Sequence, residues 1–91
     1  KNFFFFVFDM KPLQEKIKRL RWQCRRGMLE LDLLLGAFLD QYYLNLSAAD
    51  KDLFEQLLTY SDQDLYRYLI KQQLFEDQSM QALIERVRCG R

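Results

Sequence analysis

Apolar residues recur with helical spacing along most of the chain. The first stripe follows the spacing i, i+4, i+7 and i+11 and consists of Leu13, Ile17, Leu20 and Cys24. This narrow stripe predicts a helix over about residues 12–25. Pro12 suits its first turn, and Gly27 ends or bends it, because glycine adopts positive φ without penalty.

The second stripe is broader and predicts the central helix of the fold. At about 100° per residue, its apolar side chains fall on one face of a helix over residues 28–44. That face consists of Met28, Leu31, Leu34, Leu35, Phe38 and Tyr42. A helix with so wide an apolar face is expected at the centre of the domain.

Three further helices are predicted from capping residues that precede apolar residues at helical spacing. Ser47 with Asp50, and Ser61 with Asp64, resemble capping boxes, in which the first side chain accepts a backbone N–H. Asp77 can begin a last helix in the same way. The apolar residues after these caps are Leu53, Phe54, Leu57, Leu58, Leu65, Tyr68, Leu69, Met80, Leu83, Ile84 and Val87.

These elements predict an all-α fold, a compact antiparallel bundle of about five short helices. Gly90 marks the end of the last helix, and the short connections favour antiparallel neighbours. Residues 10–91 are expected to form one domain. We expect residues 1–9, KNFFFFVFD, to be a non-native or disordered extension, because their apolar run is too short for a signal peptide or a membrane span. The open alternative is an apolar segment that docks on the domain.

The charges are segregated along the chain, although its formal net charge is only +1. Residues 11–26 contain seven Lys or Arg residues and a single acid, Glu15, whereas residues 27–85 contain eleven acids and three bases. Two interpretations are open. The segregation marks an interaction surface, or basic and acidic helices face each other within the fold.

The residue types exclude several kinds of active site. The chain has no histidine, which excludes Ser-His-Asp and Cys-His triads and removes the commonest general base. Cys24 and Cys89 are far apart in sequence and form no motif. We therefore expect two free, reduced thiols, no metal site and no catalytic residue.

Trp22 and Glu30 are two side chains that the core pattern does not explain. Trp22 lies about 180° from the first apolar stripe. Its neighbours on that side are Lys18, Arg19, Arg25 and Arg26. Either another helix covers the indole or the arginines stack on it within the fold, or the indole is an exposed anchor flanked by arginines. Glu30 is either a first-turn acid that complements the helix dipole or part of a contact surface.

A basic helix with a tryptophan also suggests nucleic-acid or membrane binding. Lys and Arg grip phosphates, and an indole can stack on a base. However, the rest of the chain is acidic and contains no nucleic-acid recognition module, and the narrow apolar stripe of the first helix is needed for the core. We therefore expect no nucleic-acid partner and no membrane insertion.

The string RLRWQCRRGMLELD, with the later SDQDLYRYL, closely resembles the small succinate dehydrogenase assembly factors, the bacterial flavinator proteins with mitochondrial relatives. Their signature, Arg-Gly-x-x-Glu, matches Arg26, Gly27 and Glu30 without a gap, and the resemblance covers residues 13–90. One departure is Tyr68, where relatives often have tryptophan. The other matched positions are Arg19, Trp22, Arg25, Asp32, Asp62 and Asp64.

This resemblance implies a chaperone-like assembly factor, not an enzyme, that promotes covalent FAD attachment to the flavoprotein subunit of succinate dehydrogenase and, in bacteria, of fumarate reductase. The nine matched residues would form a partner-binding patch, and the attachment histidine would belong to the partner. Glu30 would be a contact or, as a second choice, a positioned base. FAD is expected only as a transient ligand.

We also expect a monomer in the bacterial cytoplasm, or in the mitochondrial matrix if the chain is a processed eukaryotic protein. The open alternative is a stand-alone flavin-binding or flavin-transfer protein. In that case Trp22 would stack on the isoalloxazine ring, and the arginines would hold the pyrophosphate. The chain contains no Gly-rich phosphate loop to support this alternative.

Overall fold

The computed structural model describes the backbone of residues 2–90 and the side chains of residues 12–90. Within residues 2–90 the chain forms no strand and folds into five α-helices. These are α1 (Asn2–Gln23), α2 (Leu29–Tyr42), α3 (Ala48–Leu57), α4 (Asp62–Leu65) and α5 (Gln78–Cys89). A 3-10 turn, Tyr43–Asn45, follows α2, and a π-helical segment, Tyr66–Ile70, extends α4. The predicted all-α fold is confirmed.

The start of the first helix differs from the prediction. The helix begins at Asn2, so Pro12 lies inside α1 and not in its first turn. A proline removes one backbone hydrogen bond and kinks a helix, but it does not oblige the helix to begin there. The predicted extension, residues 1–9, falls outside the described side chains, so the proposed boundary at residue 10 stays a prediction.

The three predicted helix starts are confirmed by their capping hydrogen bonds. The hydroxyl of Ser47 accepts the backbone N–H of Asp50 at 3.1 Å, and that of Ser61 accepts the N–H of Asp64 at 3.1 Å. The carboxylate of Asp77 accepts the N–H of Met80 at 2.9 Å. Each cap satisfies a donor that the first helical turn leaves unpaired, which stabilises a helix by about 1 kcal/mol.

The core forms around α2, as its broad apolar face predicted. Leu31, Leu35 and Phe38 of that face are at most 1% exposed. The Phe38 ring lies 5.5 Å from that of Phe54 in α3, and Tyr43 lies 5.9 Å from the same ring. Helix α2 also packs against α1, α5 and the π-helical segment. This arrangement holds the end of α1, the start of α2 and the start of α4 around one core.

Ion pairs connect the basic first helix to acidic helices. Arg21 pairs with Asp40 of α2 at 2.6 Å, and Lys16 pairs with Glu55 of α3 at 3.0 Å. Burial acts to raise the pKa of Glu55, but hydrogen bonds from Tyr43 and Lys16 and the charge of Arg19 lower it below its usual value. Charge matching within the fold therefore accounts for part of the segregation.

Candidate functional site

The loop between α1 and α2 contains the Arg-Gly-x-x-Glu motif and turns at Gly27. The φ angle of Gly27 is +81°, a conformation that side chains other than glycine rarely adopt. A Cβ atom placed on Gly27 would meet nothing within 4 Å. The glycine is therefore required by the backbone conformation, and the space beside it is open.

Arg26 points into the protein, where it connects the motif loop to two other elements. Its backbone N–H donates to Oδ1 of Asp32 in α2 at 2.6 Å. Its guanidinium Nη1 donates to the carbonyl of Tyr60 at 3.1 Å and to Oδ1 of Asp62 at 3.3 Å, and Nη2 donates to the carbonyl of Leu58. The side chain is only 15% exposed.

These acceptors explain why an arginine lies there. Leu58 and Tyr60 follow the last residue of α3, where carbonyls lack helical partners and the helix dipole favours a cation. The planar guanidinium presents several N–H donors at once and can therefore serve both carbonyls and a carboxylate. Of the predicted contact residues, Arg26, Asp32 and Asp62 are thus held together by bonds within the chain.

Trp22 lies on the outside of α1 and is 67% exposed. The guanidinium of Arg25 lies 5.1 Å from the centre of its ring, so the predicted arginine stacking is present, and the indole nevertheless remains largely exposed. Arg19 is also exposed, and neither Arg19 nor Arg25 forms an ion pair with any side chain of residues 12–90. These three side chains form an exposed basic–aromatic surface.

Glu30 is exposed in the first turn of α2. Among the described side chains, none donates a hydrogen bond to its carboxylate or forms an ion pair with it. Two large apolar neighbours, Leu29 and Leu33, are 74% and 62% exposed. The sequence interpretation did not include them as site residues, although both lie off the apolar face of the central helix, which is the signal that marks them.

An open groove of about 620 Å³ lies beside the motif loop. Met28 lines it from the loop, and the remaining lining residues come from the start of α4 and the segment that follows. They are Asp62, Gln63, Asp64, Tyr66 and Arg67. Asp64 is paired with Arg67, so the groove contains an ion pair and not two free carboxylates. The sequence interpretation had included Asp62 and Asp64 but missed the other four.

The thiol of Cys24 lies directly after α1 and is only 2% exposed. Burial raises the pKa of Cys24 to about 11, although the charges of Arg21 and Arg26 act in the opposite direction. The thiol therefore stays protonated near neutral pH and is a poor nucleophile. Cys89, by contrast, is exposed, and both cysteines are free.

The structure thus divides the predicted residues into two sets. The outer set, which faces solvent, consists of Arg19, Trp22, Arg25, Gly27 and Glu30. The inner set, in which Asp32 accepts the backbone N–H of Arg26 and Asp62 accepts its guanidinium, consists of Arg26, Asp32 and Asp62. The ninth predicted residue, Asp64, is paired with Arg67 and lines the groove. In the part of the chain described, no group of His, Cys, Asp and Glu side chains has the arrangement of a metal site, and no helix is long and apolar enough to cross a membrane.

Comparison with known proteins agrees with this motif. Residues 18–89 match the sequence profile of a family described as flavinator of succinate dehydrogenase. The chain is 44% identical over 81 residues to the FAD assembly factor SdhE of Idiomarina loihiensis. The aligned region covers 86% of this chain and 90% of that protein.

Other relatives have similar identity. The chain is 41% identical over 72 residues to the FAD assembly factor SdhE of Haemophilus ducreyi, with 79% of this chain and 88% of that protein covered. It is 39% identical over 72 residues to the protein of the same name from Pseudomonas savastanoi, with 79% and 86% covered. The motif, the all-α fold and these matches lead to one assignment: the chain belongs to the family of succinate dehydrogenase flavinators.

Proposed function

We propose that this protein promotes the covalent attachment of FAD to the flavoprotein subunit of succinate dehydrogenase. The family assignment supports this role. The observation that supports a particular binding surface is the exposed Glu30 carboxylate, which has no ion-pair partner among the described side chains and lies near an open glycine turn and two exposed leucines. Large apolar patches rimmed by charges are typical of protein–protein contact surfaces.

The chain acts as a chaperone and does not supply the nucleophile. The proposed covalent bond forms on the flavoprotein subunit, so the group that bonds to the flavin comes from the partner, and this chain has no histidine of its own to offer. The outer set binds the flavoprotein subunit and holds it in a conformation that favours the reaction. Correct placement of two reacting groups contributes much of the rate of such a step. Glu30 acts as a contact in this scheme, and a role as a positioned base is the second choice.

The same surface serves the flavoprotein subunit of fumarate reductase in a bacterial host. The protein works as a monomer in the cytoplasm, is not itself an enzyme, and meets FAD only while it is bound to its partner. These statements extend the family role to this chain and rest on the resemblance of its motif.

One observation favours a second candidate, direct flavin binding. The Trp22 indole is exposed, with Arg25 stacked on it and Arg19 on the same helix. An indole can stack on a flavin ring, and arginines can bind a pyrophosphate. Quenching of FAD fluorescence by the isolated protein would support this candidate, and its absence at concentrations that stimulate flavinylation would dismiss it.

The test of the main proposal is a flavinylation assay. The purified protein is mixed with the apo flavoprotein subunit and FAD, and covalent flavin is followed over time by fluorescence of the denatured subunit in a gel. We expect the wild-type protein to accelerate labelling and Glu30→Ala to lose most of the effect. Glu76→Ala removes another exposed glutamate and should behave as wild type. No acceleration by the folded wild-type protein would refute the proposal.

A further inference from the structure

We infer that Arg26, the first residue of the motif, is a positioning residue that holds both walls of the groove and does not touch the partner. This inference rests on the proposed function, because the groove and the outer set are taken as the surface that meets the flavoprotein subunit. The sequence interpretation took Arg26 as a partner contact, whereas this inference makes it the residue whose internal hydrogen bonds shape the contact surface.

The first argument is the direction of the side chain. The guanidinium donates to the carbonyls of Leu58 and Tyr60 and to Asp62, and only 15% of the side chain is exposed. Its remaining Nε atom is buried and has no hydrogen-bond partner among the side chains and backbone that the structure describes. Three of the five guanidinium N–H donors are therefore bonded within the chain and the one on Nε is buried, which leaves little of the group for a carboxylate of a partner protein.

The second argument is what the bonds of Arg26 connect. One wall of the groove is Met28, two residues after Arg26 in the motif loop. The other wall begins at Asp62, which the guanidinium bonds directly. On the loop side, the bond from the Arg26 N–H to Asp32 spans Gly27 and Glu30 and fixes the turn that presents them. One residue therefore sets the position of the loop relative to α4.

The third argument is the need for an arginine at this position. A lysine retains the positive charge but is a compact point charge, whereas the planar guanidinium can donate in several directions at once. Arg26→Lys should therefore keep some of the side-chain hydrogen bonds between the motif loop and the segment after α3, whereas Arg26→Ala should lose all of them. Because Arg26→Lys is the milder of these two variants, it allows the inference to be tested even if Arg26→Ala weakens folding.

Hydrogen exchange and partner affinity, measured on the same variants, test the inference. Exchange is measured by mass spectrometry on the free protein, in peptides that cover residues 24–32 and 57–64. Affinity for the apo flavoprotein subunit is measured by titration. Arg88→Ala controls for the loss of an arginine, and Ile84→Val controls for general destabilisation by removing a methylene from the core in α5.

We expect Arg26→Ala to raise exchange in both peptides and to weaken partner binding, each on the order of tenfold, as for the loss of a charge-assisted hydrogen bond. Arg26→Lys should give intermediate values for both quantities. The two controls should bind the partner as the wild type does. Exchange at the wild-type rate together with weakened binding would overturn the inference, because Arg26 would then be a direct contact.

Faster exchange with unchanged affinity would also overturn it, because the position of the loop would then not matter to the partner. The wild-type protein separates these results from a failure of the proposed function. If the wild type itself does not bind the flavoprotein subunit, the proposed function is wrong and the inference falls with it. If the wild type binds, the Arg26 variants test the inference alone.

Discussion

The guanidinium of Arg26 lies 3.1 Å from the main-chain carbonyl of Tyr60, although 34 residues separate the two along the chain. This bond joins the loop of the Arg-Gly-x-x-Glu motif to the connection between α3 and α4. It divides the motif by function. Arg26 faces inward and shapes the surface, whereas Gly27 and Glu30 face solvent and are available to a partner. The predictions below test each part of that division.

Gly27 is the first position where conformation and contact can be separated. Asparagine tolerates the left-handed conformation better than other side chains, so Gly27→Asn should cost about 1 kcal/mol of folding stability or less. A Cβ atom at position 27 meets none of the described residues within 4 Å, so the substitution creates no clash at that atom in the free protein. We expect Gly27→Asn to unfold at a urea concentration close to that of the wild type but to lose flavinylation activity.

The larger variant Gly27→Arg should abolish activity while its helical content, measured by circular dichroism, remains. If Gly27→Asn instead retains full activity, the partner does not approach the turn closely. If Gly27→Arg is simply unfolded, its loss of activity gives no information about contact with the partner. The activity of Gly27→Asn then shows whether the partner approaches the turn.

Trp22 should matter to function far more than to stability. Its side chain is 67% exposed, so Trp22→Ala removes little buried surface and should change the free energy of unfolding by at most about 1 kcal/mol. Loss of the indole from a binding surface typically costs about 2 kcal/mol or more of affinity. We expect urea denaturation near that of the wild type and a strongly reduced rate of flavinylation. Equal losses of stability and activity would indicate a structural role.

Cys24 should resist alkylation in the folded protein. Burial raises its pKa from the ordinary 9.0 to about 11, so the folded state favours the neutral thiol. That contribution to stability is fully present below about pH 9 and is lost as the pH rises through about 11. Iodoacetamide near neutral pH should label only Cys89 in the folded protein and both cysteines in urea, as read by mass spectrometry. Rapid native labelling of Cys24 would contradict its burial.

The titration of Cys24 should also appear in stability measurements. The difference in the free energy of unfolding between the wild type and Cys24→Ala should narrow as the pH is raised from 9 to 11. The alanine variant provides the control, because lysines and tyrosines titrate in the same range in both proteins. A difference that stays constant over this range would show that the pKa of Cys24 is not raised.

Tyr68 is the position at which the sequence departs from the tryptophan that the family resemblance led us to expect, and its side chain is part of the packing. The residue is half-buried, with its ring 4.9 Å from that of Phe75 in an edge-on arrangement. Tyr68→Trp should therefore preserve the contact and the activity, whereas Tyr68→Ala should lower stability by about 1 kcal/mol or more. Thermal unfolding and the flavinylation rate measure the two effects. Loss of activity in a stable Tyr68→Trp variant would assign the residue to the contact surface.

Local features of this fold could be predicted from sequence because their causes are local. Ser47, Ser61 and Asp77 cap the helices that follow them, and each acceptor lies three residues from its donor. The apolar face of α2 is equally readable, since Leu31, Leu35 and Phe38 recur with the helical period. The exposed leucines of α2 were not predicted as site residues, although their position off that face could have identified them.

The inward direction of Arg26 could not be predicted in the same way. Its acceptors are mostly main-chain carbonyls more than thirty residues away. Every residue has such a carbonyl, so the residue types do not indicate which ones accept a hydrogen bond. Nothing in an apolar pattern shows that the fourth helix widens into a π-helical segment at Tyr66–Ile70. The resemblance identified the family correctly, but only the structure separates the motif residues that face solvent from Arg26, which faces inward.

The central claim is that the outer surface of the motif, marked by Trp22 and Glu30, binds the flavoprotein subunit. Trp22 is the only tryptophan in the chain, so incorporation of 5-fluorotryptophan places one fluorine reporter on that surface. Its ¹⁹F resonance is recorded while unlabelled apo flavoprotein subunit is added. We predict a shift or severe broadening that saturates, and its loss in Glu30→Ala. An unchanged resonance under conditions in which flavinylation is accelerated would contradict the claim.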